Sequence, residues 1–322
     1  LYHLLALKLP ADIVDGLRER LDGRHVCVTG GAGFIGGHLV DALLAVGASV
    51  TVIDDLSSST LEHLASLVEI EPDRVRVIQG SILDDEALDE AIGGAQFVFH
   101  LAALGSVPLS IEHPQRAFAV NATGTLRVLE AARETGVERV VYAASSSAYG
   151  DSPSLPKRET DLPAPMSPYA ASKLAGEHLL ATWSSVYGLS TVSLRFFNIF
   201  GPRQSAESAY AAVVAAFAKA LLAGEAPVIF GDGSQSRDFT FVANAVLALL
   251  LAAACEEDPR GRVFNVGTGV RTSVSDLARM MARGLGLDHV QPIHRDPRAG
   301  DVPHSLADVS LATRVLGYRV VT

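Results

Sequence analysis

Six short runs rich in apolar and β-branched residues recur along the chain, at 25–30, 49–54, 74–80, 96–102, 139–145 and 191–197, each separated from the next by a stretch long enough for a helix. Each run is apolar nearly throughout instead of alternating, the pattern of strands covered by helices on both faces. Strand and helix in strict alternation predict a doubly wound parallel α/β sheet. After Asn198 the rhythm breaks at Gly201-Pro202, and an alanine-rich helix is expected over about 210–223. A smaller α/β lobe begins there. Residues 262–267 read as one more strand of the first unit, so the boundaries interleave: 24–198 plus 239–266 for the main domain, 199–238 plus 267–322 for the lobe. Residues 1–23 read as an amphipathic helical extension that packs on the domain.

Composition narrows the function classes. The formal charge of −10 argues against a nucleic-acid partner, although a local basic pocket for phosphate is compatible with it. No apolar run reaches the roughly 20 residues of a membrane span, and 243–255 suits a buried helix, so no membrane association is expected. Two cysteines exclude a disulfide framework, and ten histidines lie without ligand spacing, so no metal site is predicted. The opening Leu1-Tyr-His-Leu-Leu-Ala-Leu7 lacks a basic region and a cleavage pattern, so a cytoplasmic location is expected, with the natural start left open.

The first strand runs straight into Gly30-Gly-Ala-Gly33-Phe-Ile-Gly36, which opens a helix. Glycines at that spacing allow a tight turn and close backbone approach, and the helix N-terminus offers free amides to a pyrophosphate. Asp54 ends the second strand, 24 residues beyond Gly30, where a carboxylate suits the adenosine ribose hydroxyls and disfavours a 2'-phosphate. NAD is the expected cofactor. Ser145 closes the fifth strand, and Tyr169-Ala-Ala-Ser-Lys173 opens a helix, with Lys173 four residues on and hence on the same face as Tyr169. A free tyrosine with pKa about 10 is only about 0.1% ionised at neutral pH. A neighbouring cation stabilises the phenolate and turns it into a base.

With these residues in place, the chain resembles the extended short-chain dehydrogenase/reductases, and among them the nucleotide-sugar 4-epimerases, over about 24–320. It is most similar to UDP-N-acetylglucosamine 4-epimerases, through His100-Leu-Ala-Ala-Leu-Gly-Ser-Val-Pro108, Ser145-Ser-Ser-Ala-Tyr-Gly150, Arg195-Phe-Phe-Asn-Ile-Phe-Gly201, Ala209-Tyr-Ala-Ala-Val213, Gly231-Asp-Gly-Ser-Gln-Ser-Arg-Asp238 and Gly300-Asp-Val-Pro-His-Ser305. The resemblance implies a Rossmann-type fold. It also implies that Tyr169 is the base, that Lys173 holds the nicotinamide ribose and lowers the tyrosine pKa, and that Ser145 bridges the reacting hydroxyl. By the same resemblance Gly30, Gly33, Phe34, Ile35, Gly36, Asp54, Leu56, Ser57, Ser81, Ile82, Leu101, Ala102, Ala103, Asn121, Ala143 and Phe196 surround NAD, with Tyr169 and Lys173. Ser81 departs from the aspartate usual in the family.

On the substrate side the resemblance implies Gly105, Ser106, Ser145, Ser146, Tyr169, Asn198, Gln204, Ala212, Val213, Phe230, Arg237, Arg298 and Ser305. The two arginines suit a diphosphate. A small Ser305, where relatives restricted to UDP-glucose and UDP-galactose carry a tyrosine, leaves room for an N-acetyl group. The implied reaction is epimerisation at carbon 4 of UDP-GlcNAc/UDP-GalNAc, and also of UDP-Glc/UDP-Gal, through a 4-keto intermediate with tightly bound NAD. Ser146-Ser147-Ala148 stand where related dehydratases carry an acidic pair, which disfavours dehydration and decarboxylation. The alternatives are a 4-epimerase of a UDP-uronic acid and, from another class, a non-catalytic NAD-binding scaffold. Relatives form a homodimer through a four-helix bundle from segments matching about 113–135 and 168–187, and continue past position 322 with another helix.

Overall fold

The computed structural model describes residues 10–205, 213–297 and 302–322. Seven parallel strands form its centre: β1 (His25–Thr29), β2 (Ser49–Asp54), β3 (Val75–Gln79), β4 (Phe97–His100), β5 (Arg139–Ser145), β6 (Ser190–Phe196) and β7 (Val263–Val266). Their order is β7-β6-β5-β4-β1-β2-β3, so the winding reverses between β1 and β4. In open α/β sheets the crevice at the carboxyl ends of such a switch point is where ligands bind. Each of the seven strands predicted from apolar runs is present, within one or two residues at its ends.

Helices cover both faces. On one side α1 (Ala11–Leu21), α2 (Phe34–Ala45), α3 (Glu62–Ile70) and the later α7 (Val242–Ala254) pack on the sheet through Leu17, Leu21, Leu39, Leu43, Leu64, Leu249 and Leu250. On the other lie α4 (Asp85–Ile92), α5 (Thr125–Glu134) and α6 (Pro168–Tyr187), through Leu88, Ile92, Val128, Leu129, Leu180 and Trp183. Helix α7 is buried almost all round, which explains why its sequence is apolar without a polar stripe. Its one amide, Asn244, is satisfied by the chain end: Nδ2 donates to the Thr322 carbonyl at 2.8 Å and Oδ1 accepts from the Val321 amide at 2.8 Å. Burying each Val or Leu in this layer is worth about 1.5–3 kcal/mol.

The residues beyond β6 build small elements at the carboxyl ends of the strands. Ile199–Phe200 pairs with Thr240–Phe241, Val228–Phe230 with Ile293–Arg295, and Ser236–Arg237 with Thr272–Ser273. The helices Val213–Leu222 and Val274–Gly284 close over them around Phe217, Ile229, Val274 and Ala278. The expected alanine-rich helix is described from Val213; its first residues, including Ala212, lie outside the described segments. No helix among the described residues is long and apolar enough to cross a membrane.

Candidate active site

The glycine turn between β1 and α2 has no room for side chains. Gly30 has φ +72°, and a Cβ there would stand 2.6 Å from the Ala102 amide nitrogen; one on Gly36 would overlap the Gly30 carbonyl oxygen. Gly33 caps α2 with no side-chain acceptor, and no acidic residue stands in its first turn. The first turn of the helix therefore brings no carboxylate of its own to its free amides and the positive end of its dipole, a cradle shaped for a pyrophosphate. Asp54, buried, already accepts from the Ala32 amide (3.0 Å), the Leu56 amide (2.9 Å) and the Ser59 hydroxyl (3.0 Å). Its carboxylate thus ties the glycine loop to the loop carrying Leu56 and Ser57. Leu56 takes φ +57° to make that turn. Ser81 caps its own turn, its hydroxyl accepting from the Leu83 amide at 3.2 Å, and Ile82 is buried against Gly124. These residues fit an NAD molecule laid across the switch point.

At the far end of that crevice stand the three residues singled out for proton transfer. Ser145 ends β5, and its hydroxyl lies 2.7 Å from the Ser147 hydroxyl while accepting from the Ser147 amide at 3.2 Å. Tyr169 enters at the first turn of α6, which Ser167 caps by accepting from the Ala170 amide at 3.1 Å. The Tyr169 amide donates to Ser110 Oγ at 3.0 Å, anchoring the turn to the segment after Ser106. Burial pushes the Tyr169 phenol above its usual range, and a hydrogen bond with Ser145 pulls it back. Lys173, buried one turn on, is pushed down to about 7 by desolvation against the opposing pull of Glu177.

A second group of residues holds this geometry; Asn121 is among those expected beside NAD, whereas His100 and Arg195 stand in the quoted strings with no role assigned and Glu177 in none of them. Asn121, in a π-helical turn, accepts from the Leu104 amide (2.8 Å) and donates to Ser172 Oγ (3.0 Å), and Ser172 donates to the Tyr169 carbonyl (2.9 Å). His100 is fully buried between Thr29 Oγ1 (2.7 Å from Nδ1) and Thr125 Oγ1 (2.9 Å from Nε2). The Thr125 proton goes to the Asn121 carbonyl at 2.7 Å, so Thr125 accepts from His100 Nε2–H and Nδ1 accepts from Thr29. His100 is therefore neutral, and burial pushes its pKa down to about 3. Glu177 and Arg195 form a buried bidentate pair (2.9 and 2.7 Å), with Arg195 lying over the Tyr149 ring. Their partnership joins α6 to β6, the strand that follows it.

The remaining expected residues are spread over the strand ends and the smaller elements beyond β6. Leu101, Ala102 and Ala103 follow β4, Ala143 lies within β5, Phe196 ends β6, and Gly105 is exposed beside the half-buried Ser106. Asn198, with φ +40°, donates from Nδ2 to the Asp238 carbonyl at 3.2 Å. Gln204 donates from Nε2 to the Ile199 carbonyl (3.1 Å), while its buried Oε1 has no hydrogen-bond partner among the described residues. Ser146 opens a short 3-10 turn beside Ser145, and Val213 and Phe230 line the lobe half-buried. Arg237 Nη1 donates to the carbonyls of Ser236 (3.0 Å) and Pro303 (3.1 Å). Ser305 is placed against the same strand, its amide donating to the Ser236 carbonyl at 3.0 Å. Arg298 lies outside the described residues, as does Ala212.

Asp238, beside Arg237, does not pair with it. Its carboxylate is buried and accepts from Thr268 N (2.8 Å), Thr268 Oγ1 (2.7 Å), Gly269 N (3.0 Å) and Ala307 N (3.1 Å). It thereby fastens the three segments that carry Arg237, the end of β7 and Ser305. Among the described residues no three His, Cys, Asp or Glu side chains cluster as a metal site would require.

Residues 26–267 match the model of the NAD dependent epimerase/dehydratase family. The chain belongs to that family. It is 42% identical to a UDP-glucose 4-epimerase of Mycolicibacterium smegmatis over 91% of this chain and 92% of that one. It is 35% identical to UDP-glucuronate 4-epimerase 4 of Arabidopsis thaliana over 94% of this chain and 72% of that one. Among solved structures it is similar to the UDP-N-acetylglucosamine 4-epimerase of Methanobrevibacter ruminantium in complex with UDP-N-acetylmuramic acid, with TM-score 0.87, 38% identity and 93% of each chain covered. The Rossmann-type sheet and the NAD dependence of the family agree with the crevice described above.

Proposed function

We propose that the protein is a UDP-sugar 4-epimerase, acting on UDP-GlcNAc/UDP-GalNAc and also on UDP-Glc/UDP-Gal. The observation that carries this reading is the convergence of Ser145, Tyr169 and Lys173 beside a glycine cradle, with no carboxylate in Ser146-Ser147-Ala148. Bound NAD would supply the redox chemistry, exchange of a hydride with carbon 4 of the sugar. Tyr169 removes the proton of the 4-hydroxyl and gives it back once the sugar has turned. Ser145 bridges that hydroxyl to the phenol, and Lys173 holds the nicotinamide ribose while its charge favours the phenolate. Dehydration needs a further acid and base, and Ser146, Ser147 and Ala148 offer neither.

In this reading residues 24–198 with 239–266 hold NAD and residues 199–238 with 267–322 hold the nucleotide sugar. Arg237 and Arg298 meet the diphosphate, and Asn198, Gln204 and Phe230 the uridine and sugar. The small Ser305 admits an N-acetyl group. A UDP-uronic acid is the second reading, favoured by the identity to a UDP-glucuronate 4-epimerase and by the adjoining hydroxyls of Ser145 and Ser147, which suit a carboxylate. Incubating the protein separately with UDP-GlcNAc, UDP-glucose and UDP-glucuronic acid, and resolving the epimers, decides between them. Turnover of UDP-GlcNAc is expected, lost in Tyr169→Phe with NAD still bound. Turnover of UDP-glucuronic acid alone would transfer the proposal to the uronate, and inertness toward all three with NAD bound would make the protein a scaffold.

A further inference from the structure

Lys173 sits where burial works against its charge. It is 3% exposed, and desolvation pushes its ammonium toward the neutral amine. The carboxylate that opposes this, Glu177, is itself held at both oxygens by Arg195, so much of its field is already spent on the guanidinium. The ammonium has another partner. Lys173 Nζ lies 4.2 Å from the centroid of the Tyr142 ring, and His100 stacks on that ring at 5.4 Å and 28°. Tyr142 Oη donates to the Lys173 carbonyl at 3.3 Å, which fixes the ring beneath the helix. Gly176 permits that approach, since a Cβ there would overlap the Tyr142 hydroxyl and stand 2.7 Å from Cζ. The phenol of Tyr142 is held protonated by burial, and His100 is neutral, so the face presented to the ammonium is an uncharged π-system. A desolvated cation over such a face is attracted by the ring quadrupole.

We propose that Tyr142 is a positioning residue, whose ring, backed by His100, is the seat that keeps the Lys173 ammonium charged and in place beside Tyr169. This rests on the reading of Tyr169 and Lys173 as the proton-transfer pair. The charged or titratable groups around the ammonium are Tyr169 and Glu177 on α6, Tyr142 on β5, His100 on β4 behind it, and Arg195 on β6 beyond Glu177. Arg195 disfavours the ammonium, Glu177 is shared with it, and His100 contributes no charge. Loss of the ring lets Lys173 shed its proton at lower pH and leaves its side chain without a seat.

The test is a titration of the Lys173 side chain by NMR in protein labelled with 13C at lysine Cε, the signal assigned by its absence from Lys173→Met, alongside the pH profile of kcat. In Tyr142→Leu, Lys173 is expected to lose its proton about one pH unit lower than in the parent, and the limb of kcat on which the ammonium is lost to move with it. Tyr142→Phe keeps the ring and returns the titration to the parental pH. Gly176→Ala displaces the ring without removing it and is expected to shift the titration in the same direction, which serves if the leucine variant does not fold. An unshifted Lys173 in the displaced-ring or ringless protein overturns the proposal. So does an equal shift in Tyr142→Phe, which would assign the effect to the hydroxyl. The lysine titration uses no substrate, so its expected shift in a protein that epimerises no sugar would sink the activity and leave the seat standing.

Discussion

At the scale of single residues, Lys173 shows the conflict between stability and chemistry most directly. Burial brings it from an ordinary 10.5 to about 7. Between those values the unfolded chain binds a proton that the folded chain does not, so stability rises with pH across that window, and the penalty is complete below pH 7. Lys173→Met removes the penalty together with the function. The variant is expected to be more stable than the parent by about 1–3 kcal/mol at pH 6, with the difference shrinking as pH approaches 10. Urea unfolding of both proteins at pH 6, 8 and 10 checks this; a difference independent of pH would mean that Lys173 is not buried as a charge. The same residue should be required for turnover, a trade of stability for activity frequent at active sites.

At the scale of elements, the glycine turn makes the sharpest demand. A methyl group on Gly36 meets the Gly30 carbonyl and, at 2.7 Å, Gly31 Cα, all of it backbone that cannot step aside. Gly36→Ala is expected to give protein that purifies without NAD and takes it up at least about 100-fold more weakly, measured by cofactor release and by equilibrium binding. Unchanged NAD content would show that the turn opens where the geometry says it cannot. The turn was legible in the sequence because glycine spacing and strand-helix context are local. So were the seven strands, because a strand covered on both faces must be apolar whatever its neighbours are. What stayed hidden was long-range pairing: Glu177 with Arg195, His100 with Thr29 and Thr125, Asp238 with Thr268 and Ala307. Each residue taken alone looks like an ordinary polar side chain, and only folding shows that its charge or hydrogen bond has nowhere else to go. Helix α7 misled less, because a chain segment apolar on every side has to be covered on every side.

At the scale of the whole molecule, the layer of α5 and α6 raises the question of what covers it. The sheet buries its inner face, yet Phe118 ahead of α5 is 43% exposed, and Val186 and Tyr187 at the end of α6 are 65% and 53% exposed. Tyr187 is held by its neighbours, with Trp183 at 5.3 Å and the Arg133 guanidinium 5.3 Å over its ring, so its exposed side is fixed and does not swing into a core. Fixed aromatic surface of this kind is better suited to a partner than to water. We propose a homodimer in which these two helices meet their copies in a four-helix bundle, a symmetric interface that each chain supplies twice. A stable pairing of this type buries about 800 Å² on each partner. Light scattering should return twice the 33.9 kDa of one chain. Val186→Glu and Phe118→Glu together place like charges opposite each other across the axis, and are expected to halve the mass while leaving the far-UV spectrum of the chain in place. A monomeric parent, or a dimer untouched by both charges, would remove this face from consideration, because a buried glutamate facing its own copy cannot be accommodated without loss.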